Sequence, residues 1–306
     1  MILGIDIGGT TIKFGIVTEK GEILATERHD TLENTKTSED FINLLIDISR
    51  KFIASYPQVK GIGIGVPGQL SLDRSTLVQA NNLGSLNGTK IVPLLKEAFP
   101  NLIVRLENDA NCTALGEMYF GGHDKDDFIM IALGTGVGGG VIVHRKLFIG
   151  AKGNAGEVGF LVVGPKRQVL EDYLGQRHLT NYVKEQLAKP ENADNPMHAE
   201  EDLSVESVFH AAKQGNQLAL NIWDYVGELI GETVVGLAHS FDVTKFVIGG
   251  GVGKAYELFK ESAEKAALSY FSSYYADTFE FLPAGCEEET GLIGAASLVI
   301  NELEDF

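Results

Sequence analysis

The segment Glu107-Asn108-Asp109-Ala110-Asn111 gathers carboxylate and amide side chains where a strand pattern gives way to a helix pattern. Loops at strand ends are where α/β folds place reacting groups. Asp109 is suited there to accept a hydroxyl proton as a general base, with Asn108 hydrogen-bonding the same substrate. The same residues would also serve as a helix N-cap, and spacing alone does not choose between the two. A further carboxylate, Glu157, stands in the glycine-rich run Gly153-Asn154-Ala155-Gly156-Glu157-Val158-Gly159. It suits bidentate contact with sugar hydroxyls, although a solvated turn has the same composition.

Three glycine clusters point to a second kind of chemistry. The first combines Asp6, Gly8, Gly9, Thr10, Thr11 and Lys13. Glycine lets the backbone approach a triphosphate closely, and exposed N–H groups with threonine hydroxyls donate to its oxygens. Asp6 is suited to organise a hydrated Mg²⁺, which takes only one or two carboxylates. A plain hairpin closed by Gly-Gly explains the same residues, and the P-loop pattern GxxxxGK[ST] is absent. The second cluster, Gly134-Thr135-Gly136-Val137-Gly138-Gly139-Gly140, has five glycines in seven residues. That excess fits close approach to phosphate, with a bulged hairpin as the alternative. The third, Gly249-Gly250-Gly251, lies between a strand pattern and a helix pattern. It suits a nucleotide base or ribose against the backbone, and a close helix–strand crossing would also require it.

These residues need elements to hold them. Residues 2–7 and 12–18 read as strands around the first glycine turn. Apolar residues at 41, 44, 45, 48 and 52 define an amphipathic helix over about 38–55, with Thr37 and Asp40 placed to cap it. Strands follow at 61–66 and 102–107 and a helix at 110–120, so strands and helices alternate and the class is α/β. The pattern then restarts, because 131–143 repeats the layout of 5–17: strand, Gly/Thr turn, strand. Residues 165–203 are the least regular stretch and read as an elaboration. Helical patterns resume over about 204–240. A last strand at 245–248 precedes the third cluster, and 291–303 reads as a helix packed on the core.

At 306 residues the soft expectation is two domains. Acidic residues outnumber basic ones 42 to 25, a net charge of −17 that repels nucleic acid and anionic lipid. A nucleotide must then be gripped by local devices and a divalent cation. Cys112 and Cys286 are far apart and lack metal spacing, so neither a disulfide framework nor a zinc site is indicated. No leader pattern and no apolar run near the ~18 residues of a spanning helix is visible. The expected location is the cytoplasm.

Seven motifs in order, IDIGGTTIK, GVPG at 65–68, ENDAN at 107–111, LGTGVGGG at 133–140, GNAGEVG at 153–159, LEDYLG at 170–175 and IGGGVG at 248–253, resemble the ROK family of bacterial sugar kinases. The resemblance covers nearly the whole chain. It implies a two-lobed actin-like, ribonuclease H-like ATPase fold with a cleft between the lobes. The expected division is a small lobe over 1–108, with a C-terminal helix at about 291–306 packing back on it, and a large lobe over 109–290. It further implies ATP and Mg²⁺ as cofactors, phosphates gripped at 8–13 and 134–139, and adenosine at 249–251. Gly68, Asn82, Asn108, Asp109, Glu157 and Glu171 would meet the sugar, with Asp109 as base. Glucose and its 6-hydroxyl are the default acceptor, and a homodimer is the expected assembly. A noncatalytic sugar sensor and a polyphosphate-dependent kinase are the alternatives. Two departures stand out. The family pattern GExGH ends here in Phe160 instead of a histidine, and the three cysteines of its zinc loop are missing before Glu171. Structural zinc is therefore not expected.

Overall fold

Strands of β-branched residues interleaved with glycine build the first sheet. In the computed structural model, which describes residues 1–80, 82–123, 127–200, 202–286 and 289–304, the chain forms two compact units. Unit 1 comprises 1–126, 140–156 and 285–306, and unit 2 comprises 127–139 and 157–284. The sequence expectation divided the chain at 108/109. In the structure, helix Asp109–Phe120 sits in unit 1, because it packs on the C-terminal helix Thr290–Glu304 with Gly294 against the Cys112 carbonyl.

The sheet of unit 1 runs Ile23–Asp30, Thr11–Val17, Ile2–Ile7, Gly61–Val66, Ile103–Asn108. The first three are antiparallel neighbours and the rest are parallel. Register places Lys13, Asp6, Gly65 and Glu107 in one row across four strands, with Val66 and Asn108 in the next. The chemistry-bearing residues thus collect at one end of the sheet. Helix Ser38–Ser55 is capped by Thr37, whose side chain accepts from Asp40 N at 3.0 Å, and it buries Phe41, Leu45 and Phe52. The C-terminal helix lies on the strands Ile2–Ile7 and Gly61–Val66 at two glycines. A Cβ on Gly4 would fall 2.6 Å from the Leu292 carbonyl oxygen, and one on Gly63 1.8 Å from that of Ala295.

The second sheet is ordered Lys146–Leu147, Val137–Val143, Phe128–Leu133, Lys245–Gly249, Glu280–Pro283. In unit 2, helices Gln217–Phe241 and Tyr256–Leu268 pack closely because Gly227 and Gly231 present bare backbone to Phe259 and Ala263. The stretch 165–203 is more regular than its composition implies. Leu179, Val183 and Leu187, spaced by four, bury one face of a helix over Gln176–Leu187. Strand Ile23–Asp30 also went unread, since an edge strand half-buried at every other residue carries a charged alternation instead of an apolar run. Among the described residues no helix is long and apolar enough to cross a membrane.

The helix-on-sheet contact yields a test. Gly63→Ala must push backbone against backbone, so it should destabilise by about 1–3 kcal/mol or more, the range for overpacking. Gly84→Ala, where an added methyl meets open space, should stay within about 0.5 kcal/mol of the parent. Urea denaturation midpoints of both variants, at unchanged slope, check this.

Candidate active site

In unit 1 the first glycine turn is closed by Gly8 N donating to Thr11 O at 2.9 Å. Buried Thr31, which the sequence reading passed over, fixes it from below. Its hydroxyl donates to Gly8 O at 2.8 Å and its N–H to Thr10 O at 3.0 Å. Gly9 and Thr10 are left exposed, and nothing lies within 4 Å of where a Gly9 Cβ would be.

Asp6 lies under this turn with a side chain only 19% exposed. Burial pushes its carboxyl up to about 6; Lys13 opposes the shift, and the carboxylates of Asp109 and Glu289 add to it. Lys13 Nζ lies 4.0 Å from Asp6 Oδ2 and 3.0 Å from Glu289 Oε2, and Glu289 also pairs with Arg28. The C-terminal helix comes close here because Gly291 has no side chain; a Cβ on it would fall 2.5 Å from Asp6 Oδ2.

The helix-cap alternative for the ENDAN segment is resolved by the backbone. Asn108 is the N-cap, its Oδ1 accepting from Ala110 N at 2.9 Å and Asn111 N at 3.3 Å. Asp109 is therefore the first helical residue, where the helix dipole favours a carboxylate. Asn108 Nδ2 also donates to Gly68 O at 3.3 Å. Gly68 has φ 115°, and a Cβ on it would fall 2.4 Å from the Gln79 carbonyl, so glycine is required. Asn82 is exposed in the turn that follows. Behind the loop, buried Glu107 accepts from Asn108 N at 2.8 Å and Asn111 Nδ2 at 3.0 Å, and its Oε2 lies 3.0 Å from Arg74 Nε. Burial raises its pKa, with Arg74 and these two donors opposing.

In unit 2, Gly134 N donates to Gly136 O at 2.9 Å, and Gly134 O accepts from Gln176 N at 3.1 Å. Glu171 sits beneath this second turn, where its Oε2 accepts from Val137 N at 2.9 Å. A Cβ on Gly136 would fall 2.4 Å from the same oxygen, so a side chain there would displace the Glu171 carboxylate. Thr135 and Gly138 lie in the same turn and strand start. Burial, with Glu171 adding repulsion, raises the pKa of Glu157. In the third cluster, close crossing accounts for two glycines: Gly249 abuts Met130, and Gly250, at φ 83°, abuts the Leu133 carbonyl. Gly251 faces open space. Phe160 is 59% exposed and so does not fill the core of its unit.

The structure and the comparisons agree. The chain matches the ROK family over residues 2–302. It is 30% identical to glucokinase of Thermotoga maritima, covering 97% of this chain and 96% of that one. It is 29% identical to the xylose repressor of Caldicellulosiruptor bescii, spanning all of this chain and 79% of the repressor. Among solved structures, a proposed sugar kinase from Cytophaga hutchinsonii superposes with TM-score 0.92 at 40% identity, covering 98% and 99% of the two chains. A ROK family glucokinase from Streptomyces griseus in complex with glucose and AMPPNP gives 0.80 at 30% identity, covering 97% and 98%. The fold and these matches place the chain in the actin-like fold class that ROK sugar kinases share. The chain belongs to the ROK family.

Asp6 allows a test that is independent of turnover. Its folded pKa lies above the unfolded one, so its contribution to stability is full below about pH 4 and is lost as pH rises through about 6. Asp6→Asn should therefore gain on the parent as pH rises from 4 to 8, by on the order of 1–3 kcal/mol, with no gain at pH 4. Denaturation midpoints at both pH values, without divalent cations, measure this.

Proposed function

We propose that this protein transfers the γ-phosphoryl group of ATP to a hexose hydroxyl, with glucose and its 6-hydroxyl as the first choice. The carrying observation is the arrangement at one end of the unit 1 sheet. Asp109 opens a helix directly beyond the row Lys13–Asp6–Glu107, near a glycine turn in which Gly9 and Thr10 are exposed. A base, a cation and a backbone turn open to phosphate are the parts phosphoryl transfer needs, since its catalysis is mainly positioning and charge stabilisation.

Asp109 removes the proton from the acceptor hydroxyl, and Gly68, Asn82, Asn108, Glu157 and Glu171 hold the sugar. In unit 1, Gly8, Gly9, Thr10, Thr11 and Lys13 take phosphate; in unit 2, Gly134, Thr135, Gly136 and Gly138 take phosphate, and Gly249, Gly250 and Gly251 take the adenosine. Asp6 fits a hydrated Mg²⁺, because a buried carboxylate with a raised pKa gains from a nearby divalent cation. When bound, that ion neutralises phosphate charge. The similarity to glucokinases over nearly the whole chain supports this reading.

The match of the whole chain to 79% of a xylose repressor favours one second reading, a sugar sensor that does not turn over. A hexose panel with ATP or polyphosphate, scored for phosphorylated sugar, separates the two. Sugar binding without product would favour the sensor. In the kinase, Asp109→Asn should fold, still bind sugar, and lose about 10²–10⁴-fold in kcat, the usual contribution of a general base. Near-normal turnover in that variant would remove Asp109 from the role.

A further inference from the structure

Arg74 stands at the tip of the hairpin Gln69–Leu70/Leu77–Gln79 with φ 53°, a left-handed conformation that non-glycine residues seldom adopt. The tip is fixed by several bonds at once. Ser71 N donates to Thr76 O at 2.9 Å and Arg74 N to Ser71 O at 2.8 Å. Ser71 Oγ accepts from Ser75 N at 3.2 Å and Thr76 N at 3.0 Å, and Asp73 Oδ1 also accepts from Ser75 N at 3.2 Å. Strained backbone persists only where its surroundings over-determine it, and such sites cluster where function needs a fixed geometry.

The side chain is 14% exposed and points at two segments. Nε lies 3.0 Å from Glu107 Oε2, near the end of the strand that leads through Asn108 into the helix opened by Asp109. Nη2 donates to the Gly153 carbonyl at 2.7 Å, in the turn from which the chain runs on to Glu157. Gly153 is at φ 80°, and a Cβ there would fall 3.1 Å from Nη1, so this turn is seated on the guanidinium.

We propose that Arg74 is a positioning residue for the acceptor sugar, holding the Glu107–Asp109 strand end and the 150–156 turn in one register. The proposal rests on the kinase reading above. Its rival is simple neutralisation of buried Glu107, which any cation would provide. A lysine ammonium can supply the charge but is a single point, whereas the guanidinium sets Nε beside Glu107 while Nη2 donates to the Gly153 carbonyl.

Three variants, R74K, R74M and R74M/E107Q, decide between them. The readouts are kcat, KM for sugar and for ATP, melting temperature, and hydrogen exchange of peptides covering 103–109 and 150–156. R74K should melt close to the parent and keep its KM for ATP, while KM for sugar rises roughly tenfold or more through misplacement of the acceptor. Its 150–156 peptide should exchange faster. Adding E107Q to R74M should restore the melting temperature and leave the sugar KM high. The proposal is overturned if R74K keeps both its sugar KM and its 150–156 protection, or if R74M/E107Q recovers sugar KM along with stability. Should the wild type phosphorylate no sugar, the kinase reading is what fails. Exchange then still decides the geometric role: faster exchange at 150–156 in R74K upholds it, and unchanged exchange refutes it.

Discussion

Two carboxylates in one row of a sheet, Asp6 and Glu107, are largely withdrawn from water, and each needs compensation nearby. An isolated buried charge costs far more than any single contact returns. Glu107 is met by Arg74, Asn111 Nδ2 and the Asn108 N–H. Among the described residues Asp6 has only Lys13 at 4.0 Å, a cation that it shares with Glu289, and burial raises its pKa, with Asp109 and Glu289 adding to the shift. Burial raises both carboxyls, and what opposes it differs: Glu107 has two hydrogen-bond donors and a guanidinium nitrogen at 3.0 Å, Asp6 an ammonium at 4.0 Å.

The C-terminal segment is drawn into the same arrangement. Buried Glu117 accepts from Gly285 N at 2.7 Å and Cys286 N at 3.0 Å, which pins the chain just before Glu289 and the last helix. Gly291 then seats the start of that helix on Asp6, while Gly4 and Gly63 seat its middle on the sheet. Glycine is used in two ways here. At Gly4, Gly63, Gly136, Gly249, Gly250 and Gly294 a side chain has no room, so packing accounts for the residue. At Gly9, Gly134 and Gly251, one in each cluster, an added Cβ meets nothing. Glycine carries an entropic cost on folding, and at these three positions no contact with the described residues requires it. Gly84 and Gly236 are open too, so openness marks a ligand surface only in combination with the clusters.

Much of this was legible because the relevant signals are local. Glycine turns flanked by β-branched runs, the Thr37–Asp40 cap and the four-residue spacing of the helix at 38–55 each depend on a few adjacent residues. The residues passed over depend on long-range contacts. Glu289 acquires a role only by meeting Lys13 and Arg28 across more than 260 positions. Thr31 acts on a turn 23 residues earlier. Arg74 looks like a solvated turn residue until the fold brings Glu107 and Gly153 to it. The third cluster shows the opposite limit, since its composition alone could not separate the crossing at Gly249 and Gly250 from the open Gly251.

The region between Glu157 and Glu171 shows how a chain without the family's cysteines can still hold two carboxylates apart. Val162–Val163 pairs with Gln168–Val169, and Leu170 N donates to Leu161 O at 2.8 Å. A hairpin of this length is marginal by itself, so it must lean on its surroundings. Lys166 N donates to the Tyr173 hydroxyl at 3.1 Å, and Gly164 N donates to Glu232 on the long helix Gln217–Phe241 at 3.2 Å. The tight tip places Gly164 and Arg167 in the left-handed region, at φ 68° and 53°. The hairpin uses the backbone and two helix-borne side chains to fix the approach to Glu171. That leaves Phe160, Leu161 and Val162 facing solvent as one apolar run. The strain at the tip and this exposed run are the costs of closing the segment with a short hairpin, and the contacts from Tyr173 and Glu232 offset them.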